Sequence, residues 1–109
     1  MFFLKLFKER KIFKFMIEVT EERLTKYFDI TERALAMAKE NINAIREKEA
    51  EIILDMATRY LSDAKHFEEK GEYVTSFAAL NYAHGWLDAG ARLEIFNVKD
   101  NTLFTVDDD

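Results

Sequence analysis

Apolar residues in this chain recur at helical spacing, and they divide it into three long segments. The first stripe is Leu24, Phe28, Thr31, Leu35, Ala38, Ile42 and Ile45, at alternating intervals of four and three. That rhythm keeps one face of a helix apolar along its length. Thr20 followed by Glu21 and Glu22 marks its start: a hydroxyl that can cap free amides, then acids opposing the positive end of the dipole. No Gly or Pro ends this segment, so its break is placed at residues 44–50, where the apolar phase changes. A second stripe carries Ile53, Met56, Tyr60, Ala64 and Phe67, with Ala57 and Leu61 beside it. Gly71, after Lys70, is a stop signal and makes the helix-hairpin turn. The third segment runs from about Glu72 to Phe96. The short link between the last two predicts an antiparallel hairpin.

The third segment has two apolar sides. Tyr73, Phe77, Leu80, Leu87, Ala91 and Ile95 form one, with His84 within it. Ala78, Tyr82, Gly85, Trp86, Ala89 and Leu93 form the other. Residues 73–87 carry no formal charge when His84 is neutral. Such a helix is expected to be central, buried by neighbours on both sides. Gly85 and Gly90 each lower helix propensity by roughly 1 kcal/mol relative to Ala. Close packing or a ligand against the backbone would offset that.

Composition agrees with this pattern. The chain has 109 residues, no Pro and three Gly, too few turn residues for an all-β fold. Hydrophobic residues are 49% and charged residues 34%, which excludes disorder. The expected fold is all-α: a small antiparallel bundle of three long helices, an N-terminal helical segment and a short irregular C-terminal tail. "TLFTV" in that tail has strand character but no partner strand. There is no Cys, hence no disulfide and no thiolate metal site, and a cytoplasmic setting is favoured.

Charge separates the first residues from the rest. Residues 1–17 carry five basic residues against one acid, a balance of +4, and five of the ten Phe. Residues 18–109 carry eleven basic against twenty acidic, a balance of -9, and form the single bundle domain. The net charge of -5 disfavours nucleic acid as a partner. The first segment lacks the uninterrupted apolar run and small-residue cleavage site of a signal peptide, and is too short and charged to span a bilayer. Three readings stay open: a neutral extension upstream of a start at Met16, a helix packing on the bundle or a second subunit, or an anchor. Contact with a membrane surface is the less favoured of these, because the apolar positions do not share one face.

Candidate chemistry is concentrated in one strip. Asn81, His84, Asp88 and Arg92 lie between the two apolar sides of the third helix, and His84–Asp88 and Asp88–Arg92 are i, i+4 pairs. The structural reading is a satisfied polar network, with Asp88 accepting from Arg92 and from the His84 ring, and Asn81 tied to a neighbouring helix. The functional reading is a polar-floored pocket beside Tyr82 and Trp86 for a small anion or nucleotide-like ligand. No catalytic residue is assigned. There is no phosphate loop, HExxH or nucleophile elbow. No cofactor or metal is expected, and His66 with Glu68 or Glu69 reads as a surface group.

These residues carry a resemblance. Residues 56–98, "MATRYLSDAKHFEEKGEYVTSFAALNYAHGWLDAGARLEIFNV", resemble the core of an uncharacterised archaeal helical family, domain of unknown function 357. Its "YAHGWLDAG" block is the most specific part, and the likeness extends over roughly residues 20–106. It implies a small antiparallel bundle in an archaeal cytoplasm and no particular activity. The spacing of Ala64, Phe67, Gly71, Tyr73, Leu80 and Ala83 is also similar to one tetratricopeptide hairpin. Arg59 and His66 have the Arg-to-His spacing of four-helix ribonuclease and nucleotidyltransferase-partner domains. There the motif lies on a later helix, so the match is read as coincidence. The function expected from all this is a non-enzymatic interaction module, self-associating as a homo-oligomer or binding an unidentified protein. The alternative is a small-ligand or RNA-related domain using the polar strip.

Overall fold

A computed structural model describes residues 19–106. The basic Phe-rich segment and Asp107–Asp109 lie outside the described residues, so the expected N-terminal helix and the choice between Met1 and Met16 do too. Three helices follow in order: α1 (Glu21–Glu40), α2 (Glu47–Glu69) and α3 (Tyr73–Arg92), with a 3-10 turn at Ala44–Arg46. The fold is all-α, as the apolar periodicity predicts. Thr20 caps α1 as expected, its hydroxyl accepting from the Arg23 N–H at 3.1 Å. Gly71 closes α2 in the left-handed conformation, φ 74°. The Gly71 and Glu72 N–H groups then donate to the Glu68 and Phe67 carbonyls, both at 2.9 Å.

α2 and α3 form the antiparallel hairpin, and α1 lies against one side of it. α3 packs on both other helices, which touch each other little. The shared core is Leu24, Phe28, Leu35 and Ala38 from α1, Ile53, Ala57, Leu61 and Ala64 from α2, and Leu80, Ala83 and Leu87 from α3. On α2 the buried row is centred on Ala57 and Leu61, while Met56, Tyr60 and Phe67 flank it half-buried. Ser76, fully buried, donates to the Ala64 carbonyl at 2.6 Å and ties α3 to α2.

The helix boundaries depart from the sequence pattern at two places, and one contact explains both. α1 stops at Glu40, before the expected 44–50. Asn41 turns back to donate from its side chain to the Met37 carbonyl at 2.8 Å. α3 stops at Arg92, before Phe96. Its exit takes a left-handed residue at Glu94, φ 58°, with the Ile95 N–H donating to the Gly90 carbonyl at 2.9 Å. The two breaks then bond to each other. The Asn43 N–H donates to the Ile95 carbonyl at 2.9 Å, the Asn97 N–H to the Asn41 carbonyl at 2.7 Å, and the Asn43 side chain to the Glu94 carbonyl at 2.9 Å. Freed helix-end groups are satisfied by this stitch. Ile42 therefore leaves the first stripe to bridge Phe96, and Ile45 is 88% exposed.

The tail is irregular, as expected, but it is not a loose end. Residues 98–106 fold back as a strap, and Val98, Leu103 and Phe104 are buried on the bundle. Asp100 organises its turn. Hydrogen bonds from the Thr102 hydroxyl and N–H, and from the Leu103 N–H, hold its carboxyl below the ordinary range.

The largest difference concerns α3. Among the described residues only one of its two apolar sides is covered. Ala78, Gly85 and Ala89 are exposed, Tyr82 is 54% exposed and Leu93 59%. No described element lies on them, because α1, α2 and the strap all occupy the other flanks.

Candidate functional site

The six residues singled out on α3 lie at about 100° per residue around the helix, and the fold distributes them over three surroundings. His84 and Asp88 point under the strap. Tyr82 is on the bare side, and Trp86 flanks it, half-buried against the core. Arg92 and Asn81 are exposed at the edge between them.

His84 is the point where three pieces of chain meet. Its Nδ1 lies 3.0 Å from the Thr31 hydroxyl on α1, and its Nε2 lies 2.8 Å from the Leu103 carbonyl on the strap. A carbonyl can only accept, so Nε2 carries a proton, while the Thr31 hydroxyl can donate to Nδ1 or accept from it. Both ring nitrogens are thereby partnered. Asp88, one turn on, accepts from the Thr105 N–H at 2.8 Å and hydroxyl at 3.2 Å. The His84–Asp88 approach is longer, 3.8 Å. Asp88 thus bonds the strap rather than Arg92, and Asn81 makes no tie to a neighbouring helix. What the i, i+4 spacing showed as one network within a helix is a clamp between a helix and the segment that follows it. Sequence reading missed Thr105, Leu103 and Thr31 as its partners. Asp88 falls 17 residues before Thr105, a separation at which helical periodicity carries no signal.

Arg92 lines an open cleft of about 650 Å³ at the exit of α3, with Ala91, Glu94, Phe96, Asn97, Val98, Lys99 and Val106. Its lining is more polar than apolar and carries two cations, Arg92 and Lys99, against one acid, Glu94. Neither His84 nor Asp88 reaches it. A second cleft of about 310 Å³ lies between α1 and α2, where Lys65 pairs with Glu32 at 3.2 Å. Arg59 is held by Asp55 at 3.0 Å and His66 lies exposed against the Phe67 ring. Among the described residues no group of three His, Cys, Asp or Glu side chains could hold a metal ion, and no helix is long and apolar enough to cross a membrane.

On the bare side, aromatic rings are stacked edge to face. The Tyr82 ring centroid is 4.4 Å from that of Tyr60 on α2 and 6.4 Å from that of Trp86. Ile52 on α2 is 61% exposed. The two glycines separate here. A Cβ on Gly90 would collide with the Phe96 ring and meet Ile53 at 3.3 Å, so that glycine exists for packing within the chain. A Cβ on Gly85 would meet nothing within 4 Å.

A three-helix all-α domain, with its last helix clamped by a C-terminal strap and one apolar side left open, is the class these features define. Residues 26–96, about two thirds of the chain, match the family described as Protein of unknown function (DUF357), and the chain belongs to that family. No curated protein and no solved structure matches it.

Proposed function

We propose that this protein is a non-enzymatic helical interaction module that self-associates in the archaeal cytoplasm. The observation that carries this reading is the open side of α3. Tyr82, Leu93 and Ile52 are large apolar side chains more than half exposed, and Tyr82 and Leu93 share one side of α3, where Tyr82 packs edge to face on the half-buried Tyr60 and Trp86. Continuous exposed apolar surface, as opposed to scattered single residues, marks a binding site. Light scattering across a concentration range tests it. The expected result is a mass that rises with concentration; a constant monomer mass rejects self-association.

A second reading, a small-ligand or RNA-related binding domain, is supported by the cleft that Arg92 and Lys99 line. Two cations against one acid suit a small anion. His84 and Asp88 give it no help, since both are engaged by the strap. A thermal-shift screen against nucleotides separates the readings. A ligand of the native cleft raises the midpoint, and loses that effect in Arg92→Ala.

A further inference from the structure

We infer that the strap keeps its register on α3 past Val106, so that Asp107 pairs with Arg92 and the run Asp107–Asp109 competes with a free anion for the cleft. The inference deepens the second reading, because the cleft is the same one, and adds what regulates it.

Three contacts set the register. The Leu103 carbonyl meets His84, the Thr105 N–H meets Asp88, and Val106 lines the cleft beside Ala91 and Arg92. The strap therefore runs parallel to α3 and advances about two residues for each step of four along the helix. Chain dimensions allow that pace. Two residues of chain span at most about 7 Å, and four residues of helix rise about 6 Å. His84, Asp88 and Arg92 are spaced four apart, so they form three rungs of one ladder. Leu103 and Thr105 take the first two. The third falls to residue 107, which is an aspartate.

Charge fits the third rung. Asp88 accepts from Thr105, so it is held toward the strap and not toward Arg92. Arg92 and Lys99 are exposed and make no ion pair among the described residues. They line the cleft against one acid, Glu94, a balance of +1. Asp107–Asp109 bring three negative charges to it. A guanidinium facing a carboxylate makes a charge-assisted hydrogen bond. Asp88 repels the same acids, which favours their moving onward to Arg92.

The tether makes the contact effective. Three residues reach at most about 11 Å past Val106, so the acids stay beside the cleft. Short tethers give effective concentrations in the millimolar range. An exposed ion pair is weak, so the latch is reversible. It still sets a threshold. A singly charged ion gains no more from Arg92 than Asp107 does, and it lacks the tether. The ligand class that the cleft admits is then an anion with two or more charges on one small body, such as a diphosphate.

Nuclear magnetic resonance of the full chain at neutral pH tests this in two arms. The Arg92 Nε–Hε signal, assigned by its loss in Arg92→Lys, reports the pair with no ligand present. Asp107→Asn should move that signal. Glu69→Gln makes the same charge change beside the start of α3, about 30 Å away, and should leave it in place. Inorganic pyrophosphate is then titrated while the Asn97 and Lys99 amides are followed. The chain carrying Asp107→Asn, Asp108→Asn and Asp109→Asn should bind at least about threefold more tightly than wild type. Arg92→Ala should remove that gain. An Arg92 signal that ignores Asp107→Asn overturns the register, whatever pyrophosphate does. Equal pyrophosphate affinity in wild type and the triple variant overturns the competition. Amides that pyrophosphate moves in no variant reject the anion reading and the competition with it, while the first arm still decides the Asp107–Arg92 pair.

Discussion

Gly85 and Gly90 are the same residue type one turn and a residue apart on α3, and the fold uses them in opposite ways. Gly90 lies under the Phe96 ring, the largest fully buried side chain. Gly90→Ala forces that ring off the helix and should destabilise by about 1–3 kcal/mol. Gly85→Ala meets no atom and gains helix propensity, so at low protein concentration it should stabilise by up to about 1 kcal/mol. Urea denaturation of both variants at a few micromolar checks the pair; the same sign for both would show that the Phe96 contact is not the reason for Gly90. His84 gives a second residue-level expectation. Its removal leaves the buried Thr31 hydroxyl and the Leu103 carbonyl without their partner. His84→Ala should cost about 1–3 kcal/mol for those groups alone. It should also speed hydrogen exchange at the Thr105 amide, which Asp88 holds beside it. Unchanged exchange there would mean that His84 does not hold the strap.

The ends of elements, more than their middles, decide how this domain closes. Legibility in the sequence follows the same division. Thr20 and Gly71 were readable because a cap and a left-handed stop are local events, settled within four residues. Asn41 and Asn43 were not read as the end of α1, although asparagine favours such positions by bonding nearby backbone. The apolar rhythm through Ile42 and Ile45 pointed to a longer helix. That rhythm lost because carbonyls and amides at the exit of α3 bond the link between α1 and α2. The exit itself holds Glu94 in the left-handed region, where a Cβ is disfavoured. Glu94→Gly keeps the backbone bonds and removes that strain, so it should raise stability by about 0.5–1 kcal/mol. A lower thermal midpoint would show instead that the glutamate side chain contributes to the stitch.

At the level of the whole molecule, three helices leave the hairpin covered on one side. The double apolar character of α3 led to the expectation of a helix buried on both sides. Among the described residues it is buried on one. A second copy would supply the other, and stability should then depend on concentration. The thermal midpoint is expected to rise between about 5 and 500 µM chain, as mass action requires of a native-state dimer. A wild-type midpoint independent of concentration would count against association in the native state.

The sequence by itself determined the all-α class, three helices, the cap at Thr20, the turn at Gly71 and the charge-free face of α3. Each follows from periodicity or from chemistry within about one helical turn, so no distant contact was needed to read it. Only the tertiary structure decided that His84 joins α1 to the strap and that Asp88 holds Thr105 rather than Arg92. It also decided that Gly90 exists for Phe96 while Gly85 stands free. Those choices depend on which segments meet across many residues of chain. The same polar strip could have satisfied itself, or faced a ligand, with no change in the pattern of apolar and polar positions.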